Sequence, residues 1–424
     1  MSSNKQNPDN RRAFMRKSLI AGAAACLPIR SLVARDKWQP ALDYRLDLQV
    51  PTRFFDGKQC WVHPRAGLIP HRAEVIMTLS TLELEGSDVF KGMYRMKSPD
   101  RGATWTQPER SVGLGPRMET IDDVERPVVA SDFWPKWHPK TGVLLGTGHT
   151  IVYTPDWKVT HPRPRHTAYA VFDTEKGLWN TWKKLEMPEG DRFKNAGAGC
   201  VQRLDLPDGS LLLPIYFSPP GDNSRVAVCR CDFDGQQVTF REMGNTLSVA
   251  DDTRGLHEPS LTYFAGRYLL SLRNDLQGYV TSSEDGMHYA PIRPWRFDDG
   301  SDLGNYNTQQ HWVRHSEGLH LVYTRRGAGN DHVFRHRAPL FMARVDPERL
   351  VVLRDTERIL VPERGARLGN FGVTEISPSE TWVTVAEWMQ PKGVEKYGSD
   401  GSVYVARIHW NQPNTLFDSR DVPV

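Results

Sequence analysis

One unit recurs along the chain and constrains its fold more than any other feature: an apolar strand, a tight turn, a second apolar strand, a loop and a third strand. It reads as "FWPKWHPKTGVLLGTGHTIVYT", "CVQRLDLPDGSLLLPIYF", "EPSLTYFAGRYLLSLRN", "HWVRHSEGLHLVYTRRG" and "FGVTEISPSETWVTVAEWM". The turn positions Gly142, Gly209, Gly266, Gly318 and Ser379 lie 67, 57, 52 and 61 residues apart. A further copy with a longer connection is "WVHPRAGLIPHRAEVIMTLSTLEL". A period of about 60 residues is the length of a four-stranded propeller blade with its loops. Each such sheet alone exposes two apolar faces, and radial stacking buries both against neighbours. The predicted fold is therefore all-β: a six- or seven-bladed β-propeller of four-stranded antiparallel blades. A pair of β-sandwiches is the alternative, and the even repeat counts against it.

Residues 1–34 stand outside this pattern. "NRRAFMRKSLIAGAAACLP" joins a basic segment to a short apolar run and resembles a twin-arginine export signal through Arg11, Arg12, Phe14 and Lys17. An apolar run of about ten residues is too short to span a bilayer. Cleavage after Ala34 is expected, with lipoprotein anchoring through Cys26 as the lesser alternative. The expected location is periplasmic or extracellular, and the remaining 35–424 form one propeller domain with no membrane span. The leader carries six Lys or Arg against one Asp, so the formal charge of +3 for the whole chain becomes about −2 without it. That removes the main support for nucleic-acid binding. Four cysteines remain, Cys60, Cys200, Cys229 and Cys231, without zinc-site spacing and expected as buried free thiols.

"SPDRGATW", Ser98 to Trp105, fits the S-x-D-x-G-x-T-W Asp box, a turn motif between outer strands, and "SSEDGMHY" from Ser282 is a degenerate copy. On these residues the chain resembles the sialidase-like propeller superfamily over its whole mature length. Sialidases hold a sialate carboxylate with three arginines, the first in an [FY]RIP motif. The matching place here is "HPRAGLIP", with Leu68 at the arginine position and Arg65 nearby.

Polar residues set into apolar inner strands are the candidates for chemistry, because each must find a partner or a ligand. His149 lies in "LLGTGHTIVYT", with His166 at the start of the adjoining strand; Gly146 and Gly148 are read as letting a sugar or another backbone approach. Tyr216 ends "LLLPIYF" and Arg225 opens the next strand. "HEPSLTYFAGRYLLSLRND" supplies Glu258 and Arg273, either an internal ion pair or a carboxylate clamp. The segment opening at His311 and running through Arg325, His332 and Arg335 is the densest in cations and would attract an acidic ligand. His138, in a turn, is read as exposed.

The strand "GxGH", a second histidine, a strand-end tyrosine and a following arginine resemble most closely the propeller polysaccharide lyases and rhamnosidases acting at rhamnose–uronate linkages. The resemblance implies an acidic poly- or oligosaccharide as partner and β-elimination next to a uronate. Arg225, Arg273 or Arg325 would neutralise the carboxylate, His149 or Tyr216 would take the C5 proton, and a second group such as His166 would protonate the leaving oxygen. Two alternatives stand beside it: an exo-glycosidase of sialidase or rhamnosidase type, and a non-catalytic carbohydrate-binding propeller. No cofactor is implied; an axial Ca²⁺ is left open, without a ligand run to support it.

Overall fold

The computed structural model describes residues 42–417 apart from Ser87. The expected export leader, residues 1–34, and with it Cys26, lies outside the described residues. Six antiparallel sheets follow one another along the chain and form a six-bladed propeller. Their inner hairpins are the six repeats. Blade 1 opens with Gln59–Ile69 and Glu74–Glu83, blade 2 with Val124–His138 and Val143–Val152, and blade 4 with His257–Phe264 and Arg267–Arg273. Blade 5 opens with His311–His315 and Gly318–Tyr323, and blade 6 with Gly372–Ser377 and Glu380–Ala386. In blade 3 the inner strand is split into Ala196–Gly197 and Leu204–Asp205, both paired with Leu211–Phe217. The ring closes because Tyr44–Arg53, from the start of the chain, pairs with Ser402–Trp410 as the outer strand of blade 6.

The second strands are apolar at consecutive positions, and the packing shows why. Successive side chains leave opposite faces of a strand, and every blade is covered on both faces. Leu144 packs toward blade 1 and Leu145 toward blade 3. The same division separates Leu213 from Leu212, Leu270 from Leu269, Leu321 from Val322, and Val383 from Trp382. Each boundary between blades is thus one hydrophobic layer supplied by both neighbours.

The Asp box sits after the third strand of blade 1. Asp100 Oδ1 accepts from Ser98 Oγ (3.0 Å) and Thr104 N (2.8 Å), and its Oδ2 accepts from Thr104 Oγ1 (2.6 Å). Trp105 packs on Trp382 of blade 6. Blade 4 repeats the turn with Ser283 and Asp285. All four described cysteines are buried free thiols. His138 is buried, contrary to its turn-like context: its Nδ1 meets Thr141 Oγ1 (2.7 Å) and its Nε2 donates to the Gly209 carbonyl (3.1 Å), tying blade 2 to blade 3. No helix among the described residues is long and apolar enough to cross a membrane.

Candidate active site

The inner strands share a local irregularity that a sequence pattern does not reveal. His63, Asp132 and Glu258, within the inner strands of blades 1, 2 and 4, and Cys200 and Asn307, in the segments beside those of blades 3 and 5, adopt left-handed backbone conformations with φ of 56, 51, 43, 58 and 53°. The pairing register slips around three of them: between Val62 and Arg65, Ser131 and Trp134, and His257 and Ser260. A bulge of this kind re-aims a side chain. Non-glycine residues in this region cost roughly 1–3 kcal/mol each and concentrate where function over-determines the geometry. Three of the five, His63, Asp132 and Glu258, line a cavity of about 650 Å³ at one end of the propeller.

Gly146 and Gly148 serve this bulge rather than a ligand. A Cβ on Gly146 would lie 1.9 Å from Phe133 Cε1, and one on Gly148 would lie 2.5 Å from the Ser131 carbonyl oxygen. The two glycines leave room for the distorted Ser131–Trp134 segment that carries Asp132. Gly199 and Gly197 make space for His149: a Cβ on Gly199 would lie 2.2 Å from His149 Nδ1, and one on Gly197 would lie 2.8 Å from His149 Cβ.

Asp132 is the hub of the cavity floor. Its Oδ2 lies 3.3 Å from His149 Nε2, and its Oδ1 lies 3.3 Å from His63 Nδ1 and 3.6 Å from Arg65 Nη1. Cys200 donates its S–H to Oδ1 (2.9 Å) and accepts from Arg65 Nη2 (3.0 Å). Burial works to raise the Asp132 pKa, but His63, His149, Arg65 and the thiol bond together hold it well below the usual carboxylate value. Beyond His149, its Nδ1 meets Tyr216 Oη at 2.8 Å. Burial, followed by the nearby Arg165, pushes the His149 pKa down to about 3, so the imidazole is neutral at ordinary pH. Burial also raises the Tyr216 phenol, which therefore keeps its proton. One tautomer satisfies these contacts: Tyr216 donates to Nδ1 while the Nε2–H faces the Asp132 carboxylate. The result is a Tyr216–His149–Asp132 series ending at the cavity. On the other side of Asp132, His63 Nε2 accepts from Asn370 Nδ2 (2.7 Å).

The walls carry seven arginines. Arg163 pairs with Asp88 (3.1 Å), Arg254 with Asp275 (2.6 Å), and Arg273 with Glu258. Arg165, Arg335, Arg337 and Arg367 have no carboxylate at ion-pair distance among the described residues. Arg165 lies over the Tyr216 ring, 4.7 Å from its centroid. Burial and neighbouring cations lower the pKa of Arg335, Arg337 and Arg367, the last to about 10. Cations held together without a counter-ion in a partly dry cavity form a site for an anion.

Of the sequence-based candidates, the structure brings together His149, Tyr216, Glu258, Arg273 and Arg335 around this cavity. Others lie elsewhere. His166 is next to His149 in sequence register only: its backbone carbonyl accepts from Thr150 N, burial and then the charge of Lys184 lower its imidazole pKa, and it does not line the cavity. Arg225 is partly exposed and pairs with Asp222 (2.8 Å). Arg325 is locked to Glu357 by two hydrogen bonds against Phe341. His332 pairs with Glu363 (2.6 Å) and packs on Tyr397. His311 is fully buried in the axis between Trp134 and Phe371, with its Nδ1 on Ser260 Oγ (2.5 Å). Leu68, at the sialidase arginine position, lines a separate cavity at the other end of the axis, and Arg65 lies buried beneath Asp132. Sequence reasoning missed His63, Asp132, Arg165 and Arg367. The first two carry the same signal that singled out His149, a polar residue in an apolar strand ("WVHPR", "VVASDFW"), whereas Arg165 and Arg367 lie in loops without one. Among the described residues no cluster of three or more His, Cys, Asp or Glu is arranged to hold a metal ion.

A six-bladed propeller closed by its own first strand, with a cationic axial cavity, defines the class. No protein-family model and no curated protein matches the sequence. Solved structures do. The chain is similar to a protein of unknown function from Dyadobacter fermentans (TM-score 0.59, 13% identity, covering 88% of this chain and 100% of that one). It is similar to the NanB sialidase of Streptococcus pneumoniae (0.57, 11%, 86% and 70%) and to Trypanosoma rangeli sialidase in complex with sialic acid (0.51, 12%, 88% and 59%). The chain therefore spans little more than half the length of the trypanosomal enzyme. At these identities the likeness is one of fold, and the fold is the six-bladed propeller that sialidases, which are glycoside hydrolases, also adopt.

Proposed function

We propose that this chain cleaves an acidic, uronate-containing glycan by β-elimination, with Tyr216, His149 and Asp132 handling the proton. The observation that carries the reading is the Tyr216–His149–Asp132 series, with Tyr216 hydrogen-bonded to His149 and His149 Nε2 facing the Asp132 carboxylate at 3.3 Å, in a cavity whose walls hold four arginines without carboxylate partners. A C5 proton beside a free carboxylate is too weakly acidic to remove until that charge is neutralised, which the arginines supply. Tyr216 then takes the C5 proton as its own proton passes to His149 Nδ1, and Asp132 steadies the imidazolium that forms. The electron pair forms the C4–C5 double bond, the C4–O bond breaks, and the leaving oxygen takes a proton from Tyr216 as His149 returns its own. On this reading the leader exports the protein to where polymeric glycans are met.

A second reading, an exo-acting glycoside hydrolase, draws support from the sialidase fold and from the trypanosomal neighbour, which holds a carboxylated sugar. It needs a tyrosine activated by a carboxylate or a carboxylate pair, whereas Tyr216 is hydrogen-bonded to an imidazole. Incubation with uronate-containing polysaccharides separates the two. Elimination raises ultraviolet absorbance from the unsaturated product, while hydrolysis releases reducing ends without it. Binding with neither signal would mark a non-catalytic propeller and overturn both.

A further inference from the structure

The cavity has one lip residue that the proposed chemistry leaves without a task. Phe334 is 45% exposed and lines the cavity from the loop of blade 5. It stands among cations: Arg335 lies 5.0 Å from its ring centroid and Arg367 lies 5.1 Å away. Arg367 is also 4.5 Å from the Trp388 ring, so one guanidinium is layered between two aromatic faces. Its backbone bridges that of Trp388, and its Nη2 donates to Gln390 Oε1 (3.1 Å). Guanidinium–aromatic stacking fixes the plane of the cation and leaves its N–H edge for a planar anion. Nε of Arg367 is buried without a partner.

The loop that presents Phe334 is held rigid. The Asn330 side chain, itself buried, donates to the carbonyls of Arg325 (2.9 Å) and Ala338 (2.6 Å). Arg335 and His336, directly after Phe334, both have positive φ, 58 and 51°. Two residues in the strained left-handed region, in a pinned loop, thus hold an apolar ring in the open. Blades 3 and 6 lie opposite each other in a ring of six, so Tyr216 and the Arg367–Trp388 pair occupy facing walls. A ligand in contact with both crosses the axis. A cavity of about 650 Å³ is in the range of ~300–1,000 Å³ that encloses ligands larger than one ring.

The geometry points to Phe334 as the stacking platform of a second sugar subsite: the apolar face of a pyranose lies on the ring while an acidic group of the glycan meets the edge of Arg367. The protein then selects an oligosaccharide over a free uronic acid. This rests on the uronate reading above, and the test separates the two. The full chain carrying Tyr216→Phe, which prevents turnover, is titrated calorimetrically with D-glucuronate and with a glucuronate-containing tetrasaccharide. Adding Phe334→Ala is expected to weaken the tetrasaccharide about tenfold and D-glucuronate less than twofold. Phe334→Trp restores the affinity, which a merely structural role for the loop would not predict. Arg367→Lys, which keeps the charge and loses the planar stack, weakens the tetrasaccharide about tenfold. Unchanged tetrasaccharide binding in Phe334→Ala, or equal weakening of both probes, overturns the platform alone. Absence of binding to either probe before Phe334 is altered overturns the uronate reading beneath it.

Discussion

The Tyr216 hydroxyl is the atom on which the proposed reaction turns, and Tyr216→Phe removes it with little else. The ring stays 2% exposed in its slot and Arg165 keeps its seat over the face. What is lost is the 2.8 Å bond to His149 Nδ1, leaving a buried acceptor without a donor. That omission costs roughly 1–3 kcal/mol of stability, seen as a fall of a few degrees in Tm. The catalytic loss is larger: a positioned acid/base group contributes about 10²–10⁴ in rate, or about 3–5 kcal/mol of barrier. Initial rates of unsaturated-product absorbance, beside a thermal melt, separate the two effects. His149→Ala is expected to lose a similar factor, and the double variant no more than the worse single one, because groups acting as a unit are not additive. Since His149 stays neutral down to about pH 3, the rate profile has no imidazole limb from it between about pH 5 and 7. Tyr216→Phe retaining activity within tenfold of the parent, with the Tm lowered, would show the hydroxyl to be structural and refute the mechanism.

Gly199→Ala places a methyl 2.2 Å from His149 Nδ1, and the ring, held by Tyr216 and Asp132, cannot retreat from it; activity should fall at least a hundredfold with about 1–3 kcal/mol of stability, and an active, unshifted variant would contradict the geometry. His320, buried near Arg344, is held neutral by burial, with its pKa lowered to about 3. Between about pH 6.5 and 3 the unfolded chain therefore binds the extra proton, and stability falls with falling pH by about 1.4 kcal/mol per unit. His320→Gln should be relieved of about 2 kcal/mol of acid destabilisation between pH 7 and 5 in denaturant titrations, and identical pH slopes would count against it.

The fold was legible because its determinants are local and periodic. The hairpins around Gly142, Gly209 and Gly266 carry positive-φ glycines at their turns, and strands buried on both faces show as unbroken apolar runs such as "VLLG" and "LLLP". Length alone left six or seven blades open. Closure by Tyr44–Arg53 decided for six, since one of the six blades borrows its outer strand from the other end of the chain. The count of repeated hairpins, not the division of length by period, was the better guide.

The site was legible only where a polar side chain interrupts an apolar strand, as at His149 and Tyr216. Neighbours in sequence were a poor guide to neighbours in space. His166 sits one register step away and faces elsewhere, whereas Asp132, Tyr216 and Gly199 reach His149 from separate strands and loops. Arg225 and Arg325 look like clamps in sequence, yet each has a carboxylate of its own in Asp222 and Glu357, while Arg367 has none. The sequence by itself determined the repeat, the turns and the two apolar faces of each blade, because these depend on residues within a few positions of one another. The tertiary structure alone decided which charges are compensated and which side chains meet on the axis, because the cavity is assembled from left-handed bulges and loops of different blades, as far apart as the 307 residues between His63 and Asn370, and no local pattern encodes that convergence.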